Sequence, residues 1–132
     1  MKIVLVEPEK EACITEIKGE LHEMQEIVGG LIQALYPWMD DRVALICNDE
    51  GKITGLPLNR ALEDYDVIAG TFFVCGLSED NFDSLTDQQA QKYRTMFQYP
   101  EKFLQTPEGL FCIRYNPKEV KRETRKSFDY ER

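Results

Sequence analysis

DVIAGTFFVCGL, residues 66–77, is the stretch that decides the class of fold. From Val67 to Cys75 it is the most apolar segment of the chain. Its β-branched and aromatic residues suit a pleated, buried surface, so it reads as a central strand. Gly70 inside it indicates a bulge or a close approach of another backbone. Just upstream, VALICNDEGKITGLPLNR (residues 43–60) begins with a second apolar strand, Val43 to Cys47. Asn48-Asp49-Glu50-Gly51 reads as a turn, after which Lys52 to Leu56 is predicted to return antiparallel as a hairpin. Downstream, Ser78 to Leu85 is acidic, and Thr86 with Gln89 forms a capping-box pattern that predicts a helix from Asp87. Ala90, Tyr93 and Phe97 would be its buried stripe. Pro100 stops it, because a residue before proline avoids helical geometry.

The flanks add further elements. Met1 to Val6 reads as a strand closed by Glu7-Pro8, and Ala12 to Ile17 as a second. Leu21, Met24, Ile27 and Val28 fall at helical spacing, and Gly29-Gly30 ends that helix. Leu31 to Tyr36 resumes as a strand, broken at Pro37. Thr106-Pro107-Glu108-Gly109 fits a type I turn, with Leu110 to Tyr115 as a last strand. From Pro117 the apolar pattern lapses. The predicted architecture is a single α+β domain over residues 1–116 with a charged, mildly basic tail over 117–132. Its sheet would be mainly antiparallel, of five to seven short strands, with the two main helices on one face.

A chain of 132 residues buries roughly two-thirds of its unfolded surface and needs no staple to fold. No run approaches the ~20 apolar residues that cross a bilayer. Nor does the start resemble a signal peptide, because Glu7, Pro8, Glu9 and Glu11 follow only a short apolar run. A cytoplasmic protein without membrane contact is therefore expected. The net charge is −8. Residues 117–132 hold six Lys/Arg against four Asp/Glu, which leaves ten basic and twenty acidic side chains in the body. Such a body repels phosphate backbone, so nucleic acid is expected to bind at most weakly, through the tail. It suits a protein partner with a basic face.

Cys13, Cys47, Cys75 and Cys112 form no close pair and have no histidine neighbour, so the sequence predicts neither zinc nor disulfides. Each lies in an apolar run and reads as a small buried hydrophobe. His22, the sole histidine, falls on the polar side of its helix and reads as a surface residue. The acidic pairs Asp40-Asp41, Asp49-Glu50 and Glu79-Asp80 lack the spacing of a calcium loop. Glu79, Asp80 and Asp83 read instead as charges at a helix N-terminus. The glycines form no phosphate-binding loop. No catalytic residue, metal or cofactor is expected.

Two segments stand out as binding candidates. Asn48 to Arg60 concentrates asparagines, glycines, a proline and an arginine between strong strands. Arginine offers a planar fork of donors to anions or peptides. A ligand reading predicts a pocket lined by Asn48, Asn59, Arg60 and Thr71. The structural reading has Asn59 capping a turn and Arg60 paired with Glu63 or Asp64. Tyr36-Pro37-Trp38-Met39 carries the only tryptophan, and Trp38 either marks a contact patch or covers one end of the sheet.

The order LHEMQEIVGGLIQALYP, VALICNDEGKITGLPLNR, DVIAGTFFVCGL and SLTDQQAQKYRTMF resembles the domain of unknown function 3846 family, up to about residue 97. The resemblance implies a small bacterial protein or module associated with plasmids, phages or conjugative elements, and no activity or cofactor. The leading expectation is thus a non-enzymatic protein-interaction module of a bacterial mobile element, one version being an antirestriction-like DNA mimic. The alternative is a small-ligand- or anion-binding protein or enzyme that uses the Asn48–Arg60 segment.

Overall fold

The computed structural model describes residues 1–63 and 66–119. Most of the predicted tail, from residue 120 on, lies outside the described residues. In chain order the described elements are β1 (Lys2–Val6), β2 (Cys13–Glu16), α1 (Leu21–Val28), β3 (Ile32–Leu35), β4 (Val43–Asn48), β5 (Leu58–Leu62), β6 (Asp66–Ala69), β7 (Phe72–Ser78), β8 (Asn81–Asp83), α2 (Asp87–Met96), β9 (Glu101–Thr106) and β10 (Gly109–Arg114). The α+β class with an antiparallel sheet is as the sequence predicts. The strand count is higher than five to seven, because β5, β8 and β9 arise where no strand was read and the predicted strand Val67 to Cys75 divides into β6 and β7.

The main sheet has six strands in the order β2-β1-β7-β4-β3, with β8 paired to β7. All its pairings are antiparallel. The apolar stretch that opened the sequence reading supplies its centre. Phe72 and Val74 face one core, with Val4, Val6, Val43 and Leu45. Phe73 and Cys75 face another, with Ile3, Ala44 and Ile46. A strand apolar at consecutive positions is covered on both faces, and this corrects the expected placement of the helices. Met24 and Val28 of α1 close the Phe73 side, whereas Ala90, Tyr93 and the following Phe97 close the Phe72 side. The helices therefore lie on opposite faces.

Two further corrections come from local backbone chemistry. Val67 to Cys75 is not one strand. Gly70 takes φ +83°, a left-handed conformation that turns the chain, so β6 pairs with β5 in a small separate sheet while β7 enters the main one. Nor does Lys52 to Leu56 form a returning strand. Thr54 N donates to Glu50 O at 2.9 Å and Leu56 N to Gly51 O at 2.9 Å, which winds the segment into consecutive turns. The next strand is β5, beyond Pro57, and it pairs with β6 rather than back onto β4. Glu79 and Asp80 do not start a helix either; they form the tight turn between β7 and β8.

The capping box stands as read. Gln89 N donates to Thr86 Oγ1 at 3.1 Å and Thr86 N to Gln89 Oε1 at 3.0 Å. Among the described residues, no helix is long and apolar enough to cross a membrane.

Candidate functional site

Asn59 and Arg60 lie on β5, both fully shielded from solvent, so no cavity opens on them. The β5–β6 register slips between Leu58 and Arg60, which frees Asn59 to bridge the two sheets. Its Nδ2 donates to Val6 O and to Gly70 O, each at 2.9 Å. All five N–H groups of Arg60 are engaged. Nε and Nη2 donate to Phe97 O, Nη2 also to Lys10 O at 2.6 Å, and Nη1 to Asn59 O and Oδ1. Burial pushes the guanidinium down to about 10, with nearby Glu101 opposing the shift, so it stays charged at neutral pH. Its partners are the adjacent Asn59 and the distant backbone carbonyls of Lys10 and Phe97 rather than Glu63, while the alternative partner Asp64 lies outside the described residues, and Asn59 caps no turn.

The other predicted residues scatter. Asn48 ends β4. Its Nδ2 donates to Val28 O at 3.1 Å, and its Oδ1 accepts from Glu50 N at 2.8 Å. It also borders a cavity of about 530 Å³, lined by Cys47, Gly51, Lys52 and Asp66. Thr71 is half-buried between β6 and β7. The four residues are thus not gathered round one pocket.

Trp38 both covers the sheet and lines a cavity. It lies on the connection from β3 to β4, where Asp41 N donates to Trp38 O at 3.1 Å. Asp41 in turn accepts from Tyr93 Oη at 2.6 Å and Gln89 Nε2 at 2.9 Å, which ties this loop to α2. Those bonds hold the Asp41 carboxyl below its ordinary range. The indole tilts against Tyr93 with ring centroids 4.6 Å apart and meets Phe97 at 6.0 Å. Beside it opens a cavity of about 490 Å³, whose lining includes Leu62, Met96, Glu101 and Arg114.

Glu101 and Arg114 were not singled out from the sequence. They are the first rung of the β9–β10 hairpin, paired across it. Glu101 is 6% exposed. Its Oε1 accepts from Ala61 N at 2.8 Å and from the Cys112 thiol at 2.9 Å, and its Oε2 lies 3.7 Å from the Arg114 guanidinium. The sequence signal, weak alternation in EKFLQT and LFCIR around a readable turn, surfaces only once β9 is recognised. From this rung the hairpin runs outward with Leu104, Leu110, Phe111 and Ile113 exposed. Leu104 and Phe111 are cross-strand partners, with Ile113 two residues on along the same face.

The cysteines divide. Cys47 and Cys75 are buried as expected, but Cys13 and Cys112 are exposed. Cys13 sits on edge strand β2 and Cys112 on the hairpin, where only one side of the strand is covered. His22 is exposed, with Nε2 2.7 Å from Glu26 Oε1. Among the described residues no three His, Cys, Asp or Glu side chains are grouped as metal ligands would be.

No curated protein and no solved structure matches the chain. A family model, described as a domain of unknown function (DUF3846), matches residues 1–98. The match spans both helices and the whole main sheet and ends before β9. The chain belongs to the DUF3846 family of domains of unknown function.

Proposed function

We propose that the protein is a non-enzymatic interaction module that docks another protein bearing basic side chains, in the service of a bacterial mobile element. The observation that carries this reading is the β9–β10 hairpin. Leu104, Phe111 and Ile113 are each more than half exposed on one face of it. Exposed apolar groups clustered in this way mark contact surfaces, since leaving them in water is unfavourable. The partner's charge follows from the body, where acids outnumber bases two to one. Oppositely charged faces steer encounter and select partners. The mobile-element setting is the expectation that the family brings, and occupying the basic DNA-binding groove of a partner protein is one form of such docking. Four unpaired thiols suit a reducing, cytoplasmic compartment.

A small-ligand reading has one observation in its favour, the cavity that Asn48 borders between the 48–56 turns and β6. One comparison separates the two. The chain is used to capture proteins from a bacterial lysate in parallel with a variant carrying Phe111→Asp and Ile113→Asp. A partner that the parent retains and the variant loses, while both give the same circular dichroism, is the expected result. A parent that captures nothing, yet is stabilised by a metabolite, overturns the docking reading in favour of the cavity.

A further inference from the structure

The carboxylate of Glu101 is held in an unusual way. Oε1 is fixed by Ala61 N–H and the Cys112 thiol. Oε2 accepts no hydrogen bond from the described residues, among which its ion-pair partner is Arg114, at 3.7 Å, too long for a hydrogen bond. Yet among the described residues no buried side-chain oxygen or nitrogen is left without a partner. Oε2 must therefore reach the surface of the cavity that Glu101 lines. A largely buried carboxylate with one oxygen anchored and the other open is a preorganised acceptor. Two aromatic side chains, Trp38 and Phe97, also line that cavity. The cation paired with it is a guanidinium that is itself mostly solvent-exposed, 63% for Arg114. A second guanidinium, Arg60, lies behind with every donor committed to protein acceptors, so it offers none to an anion.

We propose that the cavity beside Trp38 binds a guanidinium group. Glu101 Oε2 accepts from it, the Trp38 and Phe97 rings supply its walls, and Arg114 is the internal cation that it displaces. A guanidinium fits better than an ammonium because it is planar, weakly hydrated and stacks on aromatic faces. An anion is disfavoured, since it would meet two carboxylates, Glu63 and Glu101, and only the loosely held Arg114. The source of the guanidinium rests on the docking reading: it is an arginine side chain of the protein partner.

Trp38 is the only tryptophan, so the emission of the full chain reports this cavity directly. The probes are N-acetylarginine amide, its uncharged isostere N-acetylcitrulline amide, and a capped Leu-Arg-Leu tripeptide. The arginine amide is expected to shift the emission saturably and the citrulline amide to bind at least about five-fold more weakly. Glu101→Gln is expected to abolish the difference. Arg114→Ala is expected to tighten arginine binding about three-fold or more by removing the competitor. Equal responses to the two amides, no response, or weaker binding in Arg114→Ala each overturn the proposal. Should Glu101→Gln fail to fold by circular dichroism, Arg114→Ala decides alone. Arginine amide binding without any gain for the tripeptide keeps the cavity and removes the protein source. A partner captured through the hairpin that ignores Glu101→Gln, with silent amide titrations, removes the cavity and keeps the docking reading.

Discussion

Cys47 and Cys75 sit on opposite faces of the main sheet, one in each core. Burial, the first cause in both, pushes their thiols up to about 11 and about 12. The thiolate is the reactive form, and at neutral pH neither residue holds any appreciable amount. Cys112 is exposed, but burial of its sulfur and the bond to Glu101 push it up to about 11 as well. Cys13 is exposed on an edge strand. Thiol labelling of native protein should therefore modify Cys13 first, Cys112 slowly, and Cys47 and Cys75 only after denaturant. Rapid native labelling of either buried thiol refutes this. Cys75→Ser should cost roughly 1–3 kcal/mol in urea unfolding, because a hydroxyl replaces an apolar contact. The sequence shows that these residues lie in apolar runs, but not which faces of those runs are covered. Coverage depends on strand neighbours far along the chain. The same distance hides Arg60, whose acceptors Lys10 O and Phe97 O come from segments 50 and 37 residues away.

Elements were legible where a local rule sets them and illegible where a neighbour does. The α2 start is written in Thr86 and Gln89, and its stripe in Ala90, Tyr93 and Phe97. The split between β6 and β7 is not written so plainly, since it depends on one glycine accepting a left-handed backbone. At Gly70 an added Cβ would lie 2.7 Å from Leu56 Cδ1 and on a positive φ. Gly70→Ala should cost about 1–2 kcal/mol, mostly conformational, because the leucine tip can move. Gly76 differs. There a Cβ would lie 2.4 Å from Ser84 O, a backbone atom beyond β8 that cannot rotate away. Gly76→Ala should therefore cost more, about 2–4 kcal/mol, by prising the β7–β8 hairpin open. Chemical denaturation of the two variants tests the ranking. A smaller loss at Gly76 than at Gly70 means that the turn carrying Glu79 and Asp80 yields easily.

At the scale of the molecule, the family match and the core end together. Among the described residues every buried hydrophobic side chain lies at or before Phe97, and the match stops at residue 98. The partners of Arg60 (Lys10, Asn59 and Phe97) also all precede β9. The β9–β10 hairpin instead leans on the body through few bonds, chiefly Glu101 to Ala61 N. A chain truncated after Pro100 should thus keep both cores, the full main sheet and the buried guanidinium network. It should unfold cooperatively, less stable by roughly 1–3 kcal/mol because Ala61 N–H and the Arg60 charge lose Glu101. With Glu101, Arg114 and the exposed apolar strands gone, it should capture no partner and its Trp38 emission should ignore arginine amide. Circular dichroism and urea melts measure the first outcome, and capture and titration the second. A truncated chain that fails to fold means that the hairpin is part of the scaffold. A truncated chain that folds and still captures the partner moves the contact surface back into residues 1–98, the part described by the family.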